Sequence, residues 1–337
     1  MRRGRFLPTL LLMWVGVLAV LLASLCLGRY PVAPKTVLQV LVARFAPIAR
    51  TWEPTVETVV WQVRLPRALA AALIGAALAS GGAVFQGLFH NPLVSPYVLG
   101  VSSGAGFGAA VAILLGASAA VTQASAFATG AVAVSLTWLI ARSGRDRSHI
   151  TLVLAGFVVG SLFASLVAGA QYVADPSTKL PQIVFWLMGS LVSVQWADLL
   201  RGALVIVPCL LAITVLRWKL NVLSMGDDEA RSLGENPAAM RVILIGLTTM
   251  TTAVSVAVSG VIGWVGLVVP HLARGMVGPD SRKLIPVSIP LGAIYMMLID
   301  DVARTLTMAE IPLGILTGII GAPVFALLLR RSRSDWD

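Results

Sequence analysis

The chain has 337 residues, of which 58% are hydrophobic and only 12% charged, with a mean hydropathy of +0.90 and a net charge of +10. A soluble globular domain lies far from these values, so the composition points to an integral membrane protein. The two cysteines, Cys26 and Cys209, both sit inside apolar blocks, which excludes a disulfide framework or a cysteine-built metal cluster.

The apolar residues come in blocks close to the ~20 needed to cross ~30 Å of hydrocarbon as helix, and not in the ten-residue alternation of a membrane barrel. The fold expected is all-α, with ten transmembrane helices in one domain over residues 1–337. The first block, 6–28, follows Arg2, Arg3 and Arg5 but exceeds a signal-peptide core, so it reads as a retained span. Further spans are expected at 65–87, 97–116, 119–141, 150–172, 202–216, 239–257, 261–274, 285–301 and 311–329. The block at 261–274 is too short to cross alone unless it is tilted or packed inside protein. With the N-terminus in the cytoplasm, sixteen of the 25 Lys and Arg residues fall on the cytoplasmic side, so both termini are expected there. The same basic residues are scattered at span ends and form no continuous patch, which disfavours nucleic acid as a partner.

Charge then marks individual segments. "SMGDDEARSLGENPAAMR", residues 224–241, places six charged side chains in eighteen positions between the sixth and seventh spans. Asp227, Asp228 and Glu229 after Gly226 suit the first turn of a short helix, and Leu233, Gly234 and Asn236–Pro237 give a stop and a restart. Leu223, Met225 and Leu233 add an apolar side. A solvated connector and a rigid knob for a soluble partner both fit this pattern.

Between 64 and 106, small residues recur at Ala71, Gly75, Ala79, Ala83 and Gly87, one stripe along a helix that permits close packing against a neighbour. Pro92 and Pro96 break the backbone at "HNPLVSP", where irregular chain must be buried in protein or line an aqueous path; a tight inter-span turn is the simpler alternative. "GAGFG" at 104–108 follows no strand and reads as helix packing, not a nucleotide loop. His90, His149 and His271 have no ligand-like spacing. Arg64 and Arg67 stand at the start of the second span, where cations are electrostatically misplaced. They either snorkel to headgroups or meet an acidic partner. Arg304 follows Asp300 and Asp301 at ion-pair spacing on one helix.

Taken together, "RLPR" at 64–67, "GAALASGGAVFQGLFHNPLVSPYVLGVSSGAG" at 75–106, "FWLMGSL" at 185–191, "SLGENP" at 232–237, "SGVIGWVGLVVPHLAR" at 259–274 and "AEIPLGILTGIIGAPVF" at 309–325 resemble the permease subunits of the type II ABC importers that take up ferric siderophores, haem and cobalamin. His90 and Trp264 depart from residues common in that family. The resemblance implies a homodimer of ten-helix subunits in the bacterial inner membrane, two ATPase subunits that carry the ATP and Mg, and a periplasmic binding protein. It further implies that Met225, Gly226, Asp227, Asp228, Glu229, Arg231, Leu233 and Gly234 couple to the ATPase. Arg64, Arg67 and Arg304 would dock the binding protein, and Asn91, Leu93, His149 and Ile150 would form the cytoplasmic gate. No cofactor is expected in the chain itself, because it has no phosphate-cradling lysine loop and no set of catalytic groups. An ion-coupled carrier would need intramembrane acids, for which Asp300 and Asp301 are the deepest candidates.

Overall fold

The computed structural model describes residues 6–47, 49–143 and 149–332, with side chains at all of these except 143, 149 and 328–332. Arg2, Arg3, Arg5, Arg145, Arg147 and Arg333 lie outside the described residues, as does the side chain of His149. The described residues fold as helices in the order α1 (Phe6–Cys26), α2 (Pro34–Val42), α3 (Pro54–Thr58), α4 (Leu65–Leu88), α5 (Val101–Leu114), α6 (Ala119–Ser143), α7 (His149–Val173), α8 (Lys179–Leu187), α9 (Trp196–Leu223), α10 (Asp227–Ser232), α11 (Pro237–Ser259), α12 (Val265–Val277), α13 (Ser281–Thr305) and α14 (Leu313–Ser332). Seven of them are long and apolar enough to cross a membrane, and α5, α12 and α14 are shorter apolar helices. These ten correspond one for one to the expected spans.

Composition decides which helix is central. α4 is built from Ala and Gly, so other backbones approach it closely and it is buried almost throughout. A Cβ added at Gly75 would fall 2.1 Å from the Gly292 carbonyl oxygen of α13, and one at Gly82 would fall 1.9 Å from that of Gly266 on α12. The small-residue stripe therefore packs on α13, with α12 seated beside it. Gly104 and Gly108 hold α5 equally close to α6, and "GAGFG" is a packing motif. α12 is short because Val265, Val268 and Val269 are buried among other helices, which removes the need to span.

By contrast, α1, α7 and α9 turn large apolar side chains outward, including Leu11, Phe157 and Leu204. This inverted exposure is what hydrocarbon solvent requires.

Three segments were not expected from apolar block length: the nine-residue α2, the junction of α3 with α4, and α8. α3 runs into α4 through a π-helical stretch, Val59–Arg64, because Pro66 lacks an N–H and the Leu65 N–H reaches back to the Val60 carbonyl. α8 is a nine-residue helix whose C-terminal turn is tied to the α11 end by a Ser190 N–H to Ser259 carbonyl bond of 2.7 Å.

Candidate functional site: a charged face, a proline-broken turn and a buried charge cluster

At one end of the bundle, α9 ends, the chain turns at Gly226 (φ +116°) and α10 forms, followed by Gly234 (φ +80°) and the Asn236 cap of α11, whose side chain accepts from the Ala239 N–H at 3.1 Å. Both glycines hold left-handed backbone that other residues resist. The stop and restart expected from the sequence is the one observed.

α10 is fastened on one side and open on the other. Ala230 is fully buried, Asp227 pairs with Arg241 of α11, and Lys219 Nζ of α9 lies 2.8 Å from Glu235 Oε2. Asp228, Glu229 and Arg231 face outward, and Met225 and Leu233 are 61% and 60% exposed. Leu223, expected on that apolar side, is instead buried among the bundle helices. The result is a small surface of mixed charge with two apolar side chains, rigidly attached to two spanning helices.

Next to it, the chain leaves α4 at His90 (φ +48°), and the Asn91 side chain accepts from the Leu93 N–H at 2.9 Å, an Asx turn. Asn91 and Leu93 are exposed at the bundle end, whereas Val94, Pro96 and Leu99 are buried. The proline-broken chain thus runs from the surface into protein, as its backbone requires. The start of α7 packs on it: Leu152 joins the cluster of Phe85, Val94 and Leu99, and Gly156 admits the Val98 carbonyl. Ile150, two residues before Leu152, is 69% exposed. Deeper in, Tyr97 donates to the Ile262 carbonyl at 2.6 Å, and Arg274 of α12 donates to Gln86 of α4 at 3.0 Å.

The opposite end holds the three arginines singled out by sequence. They do not form an exposed basic surface. Arg64, Arg67 and Arg304 are only 4%, 6% and 7% exposed. Arg64 donates to the carbonyls of Leu25 (2.7 Å), Cys26 (3.1 Å) and Tyr30, closing the C-terminal end of α1. Arg67 spends both sides of its guanidinium on carboxylates, Asp300 at 2.9 Å and Glu310 at 2.7 Å. Arg304 pairs with Asp301 and donates to the Ser24 carbonyl, while the Ser24 hydroxyl donates to Asp301 at 2.7 Å. Burial makes this pairing necessary, since an isolated charge away from water costs several kcal/mol. Sequence spacing pointed to the Arg304 pairs. It gave no sign that Arg67 meets Asp300 and Glu310, over 200 residues away.

A cavity of 200 Å³ opens beside the cluster, and Arg29, Arg64, Arg67 and Arg304 line it against a single carboxylate, Glu310. Asp300 and Asp301, the deepest acids expected from the sequence, are thus counter-ions of Arg67 and Arg304 within the chain.

Comparison with known proteins agrees with this arrangement. The model of the FecCD transport family matches residues 16–331. The molybdate import system permease protein MolB of Haemophilus influenzae is 42% identical over 95% of this chain and 93% of its own. The vitamin B12 import system permease protein BtuC of Escherichia coli is 39% identical over 96% and 95%. An iron chelatin transport system permease protein of Helicobacter pylori is 38% identical over 82% and 83%. A solved inward-facing structure of a metal-chelate type ABC transporter superposes with a TM-score of 0.86 at 39% identity, covering 96% of this chain and 98% of the other. With helices, turns and sequence in agreement along nearly the whole chain, this protein belongs to the FecCD transport family, as a permease of the type II ABC importers.

Proposed function

We propose that the chain is the membrane-spanning subunit of an ATP-driven importer of the bacterial inner membrane, working as a homodimer with both termini in the cytoplasm. The observation that carries the reading is α10, outward-facing and fastened to α9 and α11. One ATPase subunit would seat on this face of each copy. Nucleotide-driven closure of the ATPases would then move two spanning helices through the Asp227–Arg241 and Lys219–Glu235 pairs. Hydrolysis, with its ATP and Mg, belongs to that partner. The outward apolar faces of α7 and α14 support a second copy and lipid as neighbours.

The gate we assign to Asn91 and Leu93, with Ile150 and His149 at the start of α7. A cysteine at Asn91 or Leu93 should change its labelling by a water-soluble thiol reagent when ATP is added. Constant labelling through the nucleotide cycle would remove the gate from this turn.

A periplasmic binding protein would dock at the opposite end. Four arginines around one cavity favour an acidic knob, and Glu310 supplies the carboxylate that such a knob would have to displace from Arg67.

The substrate we assign as an iron chelate such as haem or a ferric siderophore, with cobalamin in the same chelate class. Support comes from the iron chelatin and vitamin B12 permeases among the relatives and from the metal-chelate transporter structure. A molybdate-type oxyanion is the second reading, favoured by the 42% identity to MolB. The deciding measurement is ATP hydrolysis by the reconstituted complex, with binding protein loaded by each ligand in turn. Stimulation by molybdate and not by the chelates would replace the first reading with the second.

A further inference from the structure

Away from the charge cluster, the chain between α1 and α4 builds a second concave site. Residues 43–47 and 49–58, the π-helical stretch and the first turn of α9 surround a bowl of 600 Å³, lined by Arg44, Arg50, Glu57, Trp61, Gln62 and Trp196. The two indoles form its apolar side and are held in place: Trp61 Nε1 donates to the Val40 carbonyl at 3.3 Å, and Trp196 Nε1 to the Trp61 carbonyl at 2.8 Å. Arg44 and Arg50 are exposed. Arg50 stands 3.7 Å from Glu57, a loose contact, and Arg44 makes no ion pair among the described residues. Two cations against one carboxylate leave the bowl net positive.

Its position relates this site to the membrane. Trp196 begins α9, and Trp61 lies one turn before α4, so both indoles sit where membrane-crossing helices leave the hydrocarbon, the depth that Trp prefers. From the bowl, two apolar stripes descend side by side. On α9, Trp196, Leu200, Leu204, Val207 and Leu211 recur every three or four residues and share one face. Leu200, Leu204 and Leu211 are strongly exposed. Along the second stripe, Trp61, Leu65, Leu69 and Leu73 recur every four residues and are half-buried. The lower residues of both stripes, Leu69, Leu73, Val207 and Leu211, line an apolar groove of 570 Å³ together with Leu10 and Trp14 of α1. From Trp61 to Leu73 is about 18 Å of helix, close to the depth of one leaflet of a ~30 Å core.

We propose that the bowl and the groove together bind one glycerophospholipid, its phosphodiester between Arg44 and Arg50 against the two indoles and one acyl chain laid between α4 and α9. Neither half alone specifies this ligand. A guanidinium pair would take any phosphate, and an apolar groove any hydrocarbon, but a net-positive bowl with an apolar groove in line below it on the same two helices fits a molecule that carries both. The site lies outside the coupling face, the proline-broken turn and the arginine cavity, so it stands whether or not the transport reading holds.

Native mass spectrometry of the purified full-length protein in mild detergent, titrated with phosphatidylglycerol or phosphatidylethanolamine, tests it. The parent should hold one phospholipid per chain through a wash that strips loosely bound lipid. Arg44→Ala/Arg50→Ala should bind roughly three- to thirtyfold more weakly, since two exposed charge contacts are removed. Val207→Phe, which fills the groove and leaves the bowl intact, should also lose the lipid. Inorganic phosphate and glycerol phosphate at millimolar concentration should not displace it. Both variants should keep the parent's melting temperature, because all three altered side chains are outward-facing. Retention of lipid at parent affinity by either variant overturns the proposal, as does a parent that holds none. Displacement by soluble phosphate would make the bowl a site for small anions and would likewise overturn it.

Discussion

The two ends of this protein use charge in opposite ways. At the end that carries Arg64, Arg67 and Arg304, the cations are buried, each is satisfied inside the chain, and the network ties α1, α4 and α13 together across more than 200 residues of sequence. At the α10 end, Asp228, Glu229 and Arg231 face outward, and the Arg231–Asp228 contact of 3.0 Å joins side chains that are 63% and 93% exposed. Buried pairs matter to the fold because breaking one strands a charge, whereas exposed pairs contribute about 0–1 kcal/mol each. The residues at one end therefore hold helices together, and those at the other are free to meet a partner.

The largest break in that contrast is expected from Arg67→Ala. It leaves Asp300, itself buried, with only Arg304 Nε at 3.9 Å. Loss of one partner from a buried pair costs about 3–5 kcal/mol. Thermal melting in lipid nanodiscs should show a pronounced fall. The Arg67→Ala/Asp300→Asn double variant should recover part of it, and a loss equal to the sum of the single effects would deny the coupling.

Asp280, in the turn between α12 and α13, is an intermediate case at the α10 end. It caps α13 through the Arg282 N–H at 3.0 Å and accepts from Asn221 at 2.6 Å, and Asn221 in turn accepts from the Ser281 N–H. Partial burial pushes its carboxyl up, but the bonds from Arg282 and Asn221 outweigh that and hold it below the ordinary value of 3.8. A depressed folded pKa means that the contribution is present above pH 3.8 and is lost as pH falls through the lower folded value. Asp280→Ala should cost about 0.5–2 kcal/mol at neutral pH, in the range of a lost helix cap. The gap to the parent should close in acid; a gap constant with pH would show that the carboxylate charge contributes nothing.

These contrasts also show where sequence was informative. The ten spans, the α10 stop and restart and the α4 stripe were legible because each depends on local composition or spacing. α2 and α8, at nine residues each, fall below the length at which an apolar run announces a span. The arginines could be picked out as misplaced cations, but their burial could not, because Arg67 reaches its counter-ions only after α13 and residue 310 fold against α4. Exposed Met225 and buried Leu223 differ in the same way: the tertiary packing of α9 decides between two equally apolar side chains.

A smaller effect sharpens the comparison at the arginine end. Glu310 is the one carboxylate of the cluster that lines the cavity, with its side chain 24% exposed. Glu310→Gln keeps a hydrogen-bond acceptor for Arg67 but removes the competing charge. Binding-protein association should strengthen a few-fold at low salt, consistent with about 1 kcal/mol for a partly exposed charge, and the gain should shrink as salt rises. Weaker or unchanged association would remove Glu310 as the competitor. Arg64→Glu/Arg67→Glu/Arg304→Glu in turn should abolish docking, but its melting temperature must be read first, since these residues also hold the fold.

The smallest effect on stability should come from the most charged surface. Asp228, Glu229 and Arg231 face solvent, Asp228 and Arg231 pair with each other, and Ala230, which anchors α10, is left in place when the three are changed to Ala together. Surface substitutions of this kind usually shift stability by no more than about 0.5 kcal/mol each, and alanine favours the helix they occupy. The triple variant should therefore melt close to the parent and keep the Asp227–Arg241 and Lys219–Glu235 pairs that attach α10 to the bundle. Its deficit should appear only with a partner present: the ATPase should no longer co-purify, or ATP hydrolysis should proceed without uptake in proteoliposomes. A variant that melts normally, assembles normally and transports normally would return α10 to the status of a solvated connector. Loss of stability together with loss of assembly would instead mean that this end, like the other, spends its charge on the fold.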